Sequence, residues 1–197
     1  SGDTVKLSPD ETLVRWIDVE YRLFRQVEQR HYDYVTFEPA DSLDHFISTG
    51  LEIANRRKAR AGKSLEHHLA AIFDQFGIRY TSQARTEGKK KPDFLFPSES
   101  SYHDPGFPAS RLTFLGAKTT CKDRWRQVLN EADRIEEKYL FTLQQSMSPG
   151  QLAEMHAERL ILVVPAEYHR NYPKTEWTSV ITLQEFIDIV LNKQSLG

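Results

Sequence analysis

Cysteine is almost missing from this chain: Cys121 stands alone among 197 residues. One thiol can neither close an internal disulfide nor build a multi-cysteine zinc site, so a reducing, cytoplasmic setting is expected. Long apolar runs are missing too, and nothing approaches the ~18 residues that a membrane-spanning helix requires. The opening SGDTVKLSPDE carries no apolar stretch of the kind found in a secretory leader. With only nine glycines and nine prolines beside 11% aromatic residues, collagen-like, low-complexity and disordered classes are excluded. No internal repeat is visible, and a net charge of -2 leaves no overall excess of either sign.

What charge there is lies unevenly. Between Arg56 and Pro92, ten Lys/Arg accompany three acids, Glu66, Asp74 and Glu87. A basic region within a near-neutral chain suggests a face that meets a polyanion, although a solvated helix and loop would give the same count. The 56–63 cluster and the lysines 89 to 91 are expected to hold phosphates, positioning a duplex without reading its sequence.

Periodicity and punctuation outline the elements. Ser8-Pro9-Asp10-Glu11 reads as a capping box with proline at the first helical position, opening a helix to about His31. A second helix is expected from Asp41 to about Ala61, broken by Gly62. Ser64 caps a third, SLEHHLAAIFDQF, which Gly77 ends. Strands are expected at Ile78–Thr81, from Asp93 to Phe96, within Arg111–Thr120, at Leu160–Val164 and near Ser179–Thr182. The segment from Ser98 to Ser110 reads as a surface loop, and an amphipathic helix is expected from about Asp123 to Leu143. A short helix follows the break at Met147–Gly150, and LQEFIDIVLN closes the chain. The class is α/β with a mixed central sheet flanked by helices. Residues 1–60 form an N-terminal helical extension packed on a core of 61–197.

Asp93 stands after a proline at the mouth of one strand, and Lys118 lies 25 residues on, near the end of the next strong one. If the two strands pair as a hairpin, a carboxylate faces an ammonium group. Glu131 on the following helix and Glu66 on the helix before could project toward the same point. Hydrolysis of a phosphodiester uses such a set. Mg²⁺ is held by one or two carboxylates, and a lysine steadies the nucleophile and the charge developing on phosphorus. Directly after the lysine comes Thr119-Thr120-Cys121-Lys122-Asp123-Arg124-Trp125. Lys122 and Arg124 suit guanine O6 and N7, and Asp123 suits cytosine N4 or support of the arginine.

PDFLFP, GAKTTCKDRW and the glutamate of VLNEADRIEEKY together resemble the PD-(D/E)xK nucleases, and within them the catalytic C-terminal domains of EcoRII-type restriction endonucleases, to which PspGI is similar. The resemblance spans nearly the whole chain. It implies a restriction-endonuclease-like fold and a Mg²⁺-dependent homodimer that cuts double-stranded DNA at 5′-CCWGG before the first cytosine. Asp93 then matches the Asp of the PD element and Lys118 its lysine. Glu131, thirteen positions on, matches an acidic residue that this branch carries on the next helix, because Gly116 occupies the usual acidic position two residues before the lysine. Glu66 matches a helical glutamate of the superfamily. Asp93 and Glu131 would hold the metal, and Lys122, Asp123 and Arg124 match the recognition segment. Relatives flip the central A·T pair out of the helix; Arg15, Trp16 and Tyr21 are pocket candidates. A fragment without the effector-binding domain of these enzymes is expected to cut single sites unaided.

Two other functions remain compatible with the residues: a non-cleaving DNA-binding module of the same fold, and a repair or junction nuclease. Tyr102, in the hydroxyl-rich SESSYHD, is expected to touch DNA rather than to act as a nucleophile. Adjacent His67 and His68 point apart on a helix and do not form a metal site. Cys121 reads as a small junction residue.

Overall fold

The computed structural model describes residues 7–32, 42–88, 90–121, 124–174 and 179–195. Helix α1 (Pro9–Tyr32) begins at the expected capping box. The Ser8 backbone N–H donates to Glu11 Oε2 (2.9 Å), and the Glu11 N–H donates to Ser8 Oγ (3.2 Å). Asp10 does something the motif does not announce. It is 3% exposed, and its carboxylate accepts from the N–H groups of Ala166 (2.9 Å), Leu183 (3.0 Å) and Gln184 (3.0 Å). One side chain of the first helix thus satisfies the free N–H groups at the starts of two distant helices.

Helix α2 (Leu43–Gln75) runs for 33 residues through Gly62, where two helices were expected. Its start is capped by Ser42, whose side chain accepts from His45 N–H; the expected start at Asp41 lies outside the described residues. Glycine in a helix costs only about 1 kcal/mol relative to alanine. Here α1 grips the helix on both sides of it. Glu28 receives Arg57 before Gly62, and Glu20 receives Ser64 and His68 after it. The boundary expected at residue 60 falls inside this helix. Gly77 ends the element as expected, with a left-handed φ of +65°.

Among the described residues six strands follow: β1 (Thr81–Ser82), β2 (Phe94–Phe96), β3 (Thr113–Lys118), β4 (Lys138–Thr142), β5 (Leu160–Val164) and β6 (Val180–Thr182). They lie side by side in chain order. The first three pair antiparallel and the last four, β3 to β6, parallel, so the sheet is mixed as expected. Between them lie α3 (Glu99–His103), a 3-10 turn at Ala109–Arg111, α4 (Trp125–Leu129), α5 (Pro149–Ala157), α6 (Ala166–His169) and, last, α7 (Leu183–Ser195). The expected loop 98–110 therefore holds two short helical turns.

The larger correction is at 123–143. The helix there has five residues, and Lys138–Thr142 is a fully buried central strand. Ala132, with φ +55°, reverses the chain after α4, and no glycine signals the reversal. The alternation along each strand divides the core between two faces. Phe114, Leu140, Leu160 and Leu162 join Trp125, Leu152 and Met155 on one. Leu115, Tyr139, Phe141 and Val163 join Leu69, Phe73 and Phe186 on the other. Among the described residues no helix is long and apolar enough to cross a membrane.

Candidate active site

β2 and β3 run antiparallel with Phe94 opposite Leu115, so Asp93, one residue ahead of β2, lies beside the end of β3. Asp93 Oδ2 accepts from the Ala117 backbone N–H (2.7 Å) and from Lys118 Nζ (2.9 Å). The Asp93 side chain is 9% exposed and that of Lys118 32%. The meeting of carboxylate and ammonium group expected from their strand positions is present. A charge-assisted bond plus a backbone donor fixes one oxygen of Asp93 and leaves the other to different partners.

That other oxygen meets a residue the sequence did not single out. Gln83 Nε2 donates to Asp93 Oδ1 (3.3 Å) and to Glu66 Oε2 (3.1 Å), linking α2 to the hairpin. Glu66 is accordingly brought to the site. Its carboxyl is pushed above the ordinary range by burial and then by the charge of Asp93, while Lys118 and the Gln83 hydrogen bond pull it back. A lone glutamine after a short strand has no pattern of its own, and only the pairing of β1 with β2 places it.

Glu131 reaches the same field by another route than expected. It lies in the turn after α4, not two turns into a helix. Burial raises its carboxyl to about 7, with Asp93 adding to the rise and Lys118 opposing it. The turn is held from outside. Asp133 N–H donates to Glu87 Oε2 (3.2 Å), Lys90 Nζ to Asp133 Oδ1 (3.1 Å), and Arg134 N–H to Tyr102 Oη (3.2 Å). Tyr102, which itself donates to Glu87, is 2% exposed, so it is a strut under this turn and not the DNA contact expected.

Gly116 shows why an acidic side chain is not found two residues before Lys118. A Cβ there would lie 3.3 Å from Val128 Cγ2 and 3.4 Å from Leu140 Cδ1. A carboxylate at 116 would be driven into an apolar face with no partner, which is costly. α4 covers that position and delivers Glu131 from its far end instead.

Of the recognition segment, Lys122 and Asp123 lie outside the described residues. Arg124 is exposed at the start of α4, its N–H on the Cys121 carbonyl (2.7 Å). Cys121 is a buried junction residue, its Sγ 3.6 Å from both Gln144 Oε1 and Met147 Sδ. The basic 56–63 cluster departs from expectation. Arg57 pairs with Glu28 and Arg60 with Glu20, joining α2 to α1, while Arg56 pairs with Glu52 on α2 itself. Lys89 lies outside the described residues, and Lys90 is engaged by Asp133. Arg15 and Tyr21 are exposed, whereas Trp16 packs against the ring of His68 (5.7 Å). His68 Nε2 meets Glu20 (2.9 Å), a structural partner and not a metal.

Among the described residues no three His, Cys, Asp or Glu side chains stand close enough to cage a metal by themselves. Mg²⁺ does not need that: one or two carboxylates, with waters and substrate oxygens, commonly hold it. The donors fit such an ion. Asp93 Oδ1 has a neutral amide as its partner. Glu66 and Glu131 are both raised by burial first and by the charge of Asp93 second, with Lys118 only partly offsetting the rise.

Residues 24–187 match the family described as EcoRII C terminal. The chain belongs to the EcoRII C-terminal family. It is 49% identical over 182 residues to the type II restriction enzyme EcoRII of Escherichia coli, covering 92% of this chain and 45% of that protein. It is 26% identical over 167 residues to the type II restriction enzyme SsoII of Shigella sonnei, covering 79% of this chain and 53% of that one. This EcoRII C-terminal family member thus spans about half the length of these relatives. Its fold matches metal-depleted Ecl18kI in complex with uncleaved DNA (TM-score 0.78, 22% identity, 94% of this chain and 70% of that one). It also matches the restriction endonuclease PspGI in a substrate DNA complex (TM-score 0.74, 13% identity, 100% of this chain and 84% of that one). The fold is restriction-endonuclease-like, as expected from the family resemblance.

Proposed function

We propose that this chain is the catalytic part of a type II restriction endonuclease that hydrolyses DNA phosphodiester bonds at 5′-CCWGG, before the first C, with Mg²⁺. The observation that carries the reading is the division of labour on Asp93: one oxygen fixed by Ala117 and Lys118, the other turned toward Glu66 in a field of surplus negative charge. Family membership supports the same chemistry.

Asp93 and Glu131 are the residues that would hold Mg²⁺, with Glu66 beside them. The ion, when bound, neutralises the phosphate and lowers the pKa of the attacking water. Lys118 uses one of its three donors on Asp93, which aims the ammonium group and leaves two donors for a phosphate oxygen and the nucleophile. Glu131, raised to about 7, gives up its proton near neutral pH as positive charge accumulates beside it. Lys122, Asp123 and Arg124 read the outer G·C pairs from the junction that follows Lys118, so reading and cutting share one short segment.

A palindromic site is read by a two-fold dimer, each subunit cutting one strand. Two rows of exposed apolar residues at helical spacing support a homodimer: Leu23 and Val27 on α1, and Leu43, Ile47 and Leu51 on α2. The single cysteine supports a cytoplasmic location. The W position is read by flipping the central pair.

A duplex with one CCWGG and a duplex with none, each incubated with Mg²⁺ and with EDTA, test the reading. Metal-dependent cutting of the first alone, before its first cytosine, is the expected result. Specific binding without cutting would leave a DNA-binding module. Cutting of both, or of branched substrates preferentially, would make it a repair or junction nuclease.

A further inference from the structure

Gln83 has no role in the chemistry above, yet it occupies a demanding position. Its backbone N–H donates to the Asp93 carbonyl (3.1 Å), extending the β1–β2 ladder one residue past Ser82 and Phe94. To do so it adopts φ +51°, a left-handed conformation that glutamine rarely takes and that costs free energy. The result is a carboxamide whose single nitrogen bridges Asp93 Oδ1 (3.3 Å) and Glu66 Oε2 (3.1 Å). Two carboxylates brought together raise each other's energy, and a donor placed between them relieves it.

We propose that the Gln83 amide is an internal stand-in for the cation: it keeps Glu66 and Asp93 paired before a divalent ion arrives, and it must give way when one does. The inference rests on the reading of Asp93 as a metal ligand. Three features support it. Asp93 Oδ2 is already committed to Ala117 and Lys118, so Oδ1 is the oxygen left for a metal, and that is the atom Gln83 holds. The amide is a neutral donor, strong enough to order the pair and weak enough to be displaced by a full positive charge. Its backbone is fixed by the sheet, so only the side chain has to turn. Gln83 is a positioning residue. It would set metal affinity.

Removing the donor leaves two carboxylates with more unrelieved charge and no competitor. Gln83→Met keeps the shape without the donor. Gln83→Asn keeps the amide and suits a left-handed backbone, but it is one methylene too short to span both partners. Titration calorimetry of DNA-free protein with Mn²⁺ as the probe is expected to show both variants binding on the order of tenfold more tightly than wild type. Thermal melting of the metal-free variants is expected at lower temperature, with a larger rise on adding Mn²⁺. Weaker binding would make Gln83 a preorganising group or a ligand, and unchanged binding with unchanged melting would make it a bystander; either overturns the proposal. Asp93→Asn runs alongside. If that variant binds Mn²⁺ as wild type does, the metal reading of Asp93 fails, whatever Gln83 does. If it abolishes binding while the Gln83 variants change nothing, only the stand-in fails.

Discussion

Two acidic clusters in this molecule are built from similar parts and behave oppositely. In the α1–α2 pair, Glu20 alone faces Arg60, Ser64 and His68, and Glu28 alone faces Arg25 and Arg57. At the sheet end, Asp93 takes Lys118, the Ala117 N–H and the Gln83 amide, Glu66 shares that amide, and Glu131 is coupled to Asp93 and Lys118 through charge. In the first cluster donors outnumber carboxylates, and Arg57 and Arg25 hold the Glu28 carboxyl below its usual range. In the second, among the described residues, hydrogen-bonded cations are fewer than carboxylates, and burial together with the charge of Asp93 holds both Glu66 and Glu131 above their ordinary range. A saturated cluster joins helices. A deficient one stores negative potential that a ligand can relieve.

The sharpest way to break this contrast is at Lys118, the cation that pairs with Asp93. Lys118→Ala is expected to slow the chemical step by on the order of 3 kcal/mol or more while DNA binding stays nearly intact. Single-turnover cleavage beside a binding isotherm measures both, and near-wild-type cleavage would remove Lys118 from the chemistry. In the saturated cluster, Glu20→Ala strands partly buried donors and is expected to cost about 2–3 kcal/mol of stability, read from the denaturant midpoint. Mn²⁺ binding should not change; if it does, the two clusters are not independent.

Glu131 gives the contrast a pH signature. Below its ordinary value of 4.5 the carboxyl is protonated whether the chain is folded or not. Between there and about 7 the unfolded chain releases the proton and the folded one keeps it, so metal-free stability falls as pH rises through this window. Allowing for partial exposure, the loss is on the order of 2 kcal/mol, flat above the window. Glu131→Gln should make the fall in stability across this window shallower than in wild type, as measured by urea unfolding across pH. A slope as steep as the wild type's would place Glu131 outside the deficient cluster.

The smallest effect separates basic residues that serve the fold from those that face outward. Arg56→Ala breaks an exposed pair with Glu52 and should cost less than about 0.5 kcal/mol, with no change in the salt dependence of DNA binding. Arg124→Ala should instead erode discrimination between cognate and altered sites by roughly 1–3 kcal/mol. Equal weakening on every sequence would make Arg124 a phosphate clamp.

Much of this was legible from local chemistry. The capping box at Ser8, the stop at Gly77 and the apolar run Leu160–Val164 are where composition and spacing put them, because each is governed by neighbours within a few residues. Asp93 and Lys118 were legible for a related reason: each sits at the end of a strand whose pattern is strong, and antiparallel pairing brings the two ends together. The failures are nonlocal. Gly62 reads as a break, yet contacts to Glu28 and Glu20, 29 to 48 residues away, carry the helix across it. β4 reads as helix because its lysine and aromatics fit a helical face. The reversal at Ala132 is held by Glu87 and Tyr102, 46 and 32 residues from the groups they bind.

By itself, then, the sequence determined the class of fold, the hairpin that pairs a carboxylate with a lysine, and the resemblance that points to DNA cleavage. Only the tertiary structure decided that Glu131 arrives from a turn, that three arginines of the basic helix are paired with glutamates of the fold, and that Gln83 stands between two carboxylates. Hydrogen-bond pattern and side-chain period act over a few residues and leave a mark in the sequence. The balance of charge in a cluster is a sum over elements far apart in the chain, and no local pattern records it.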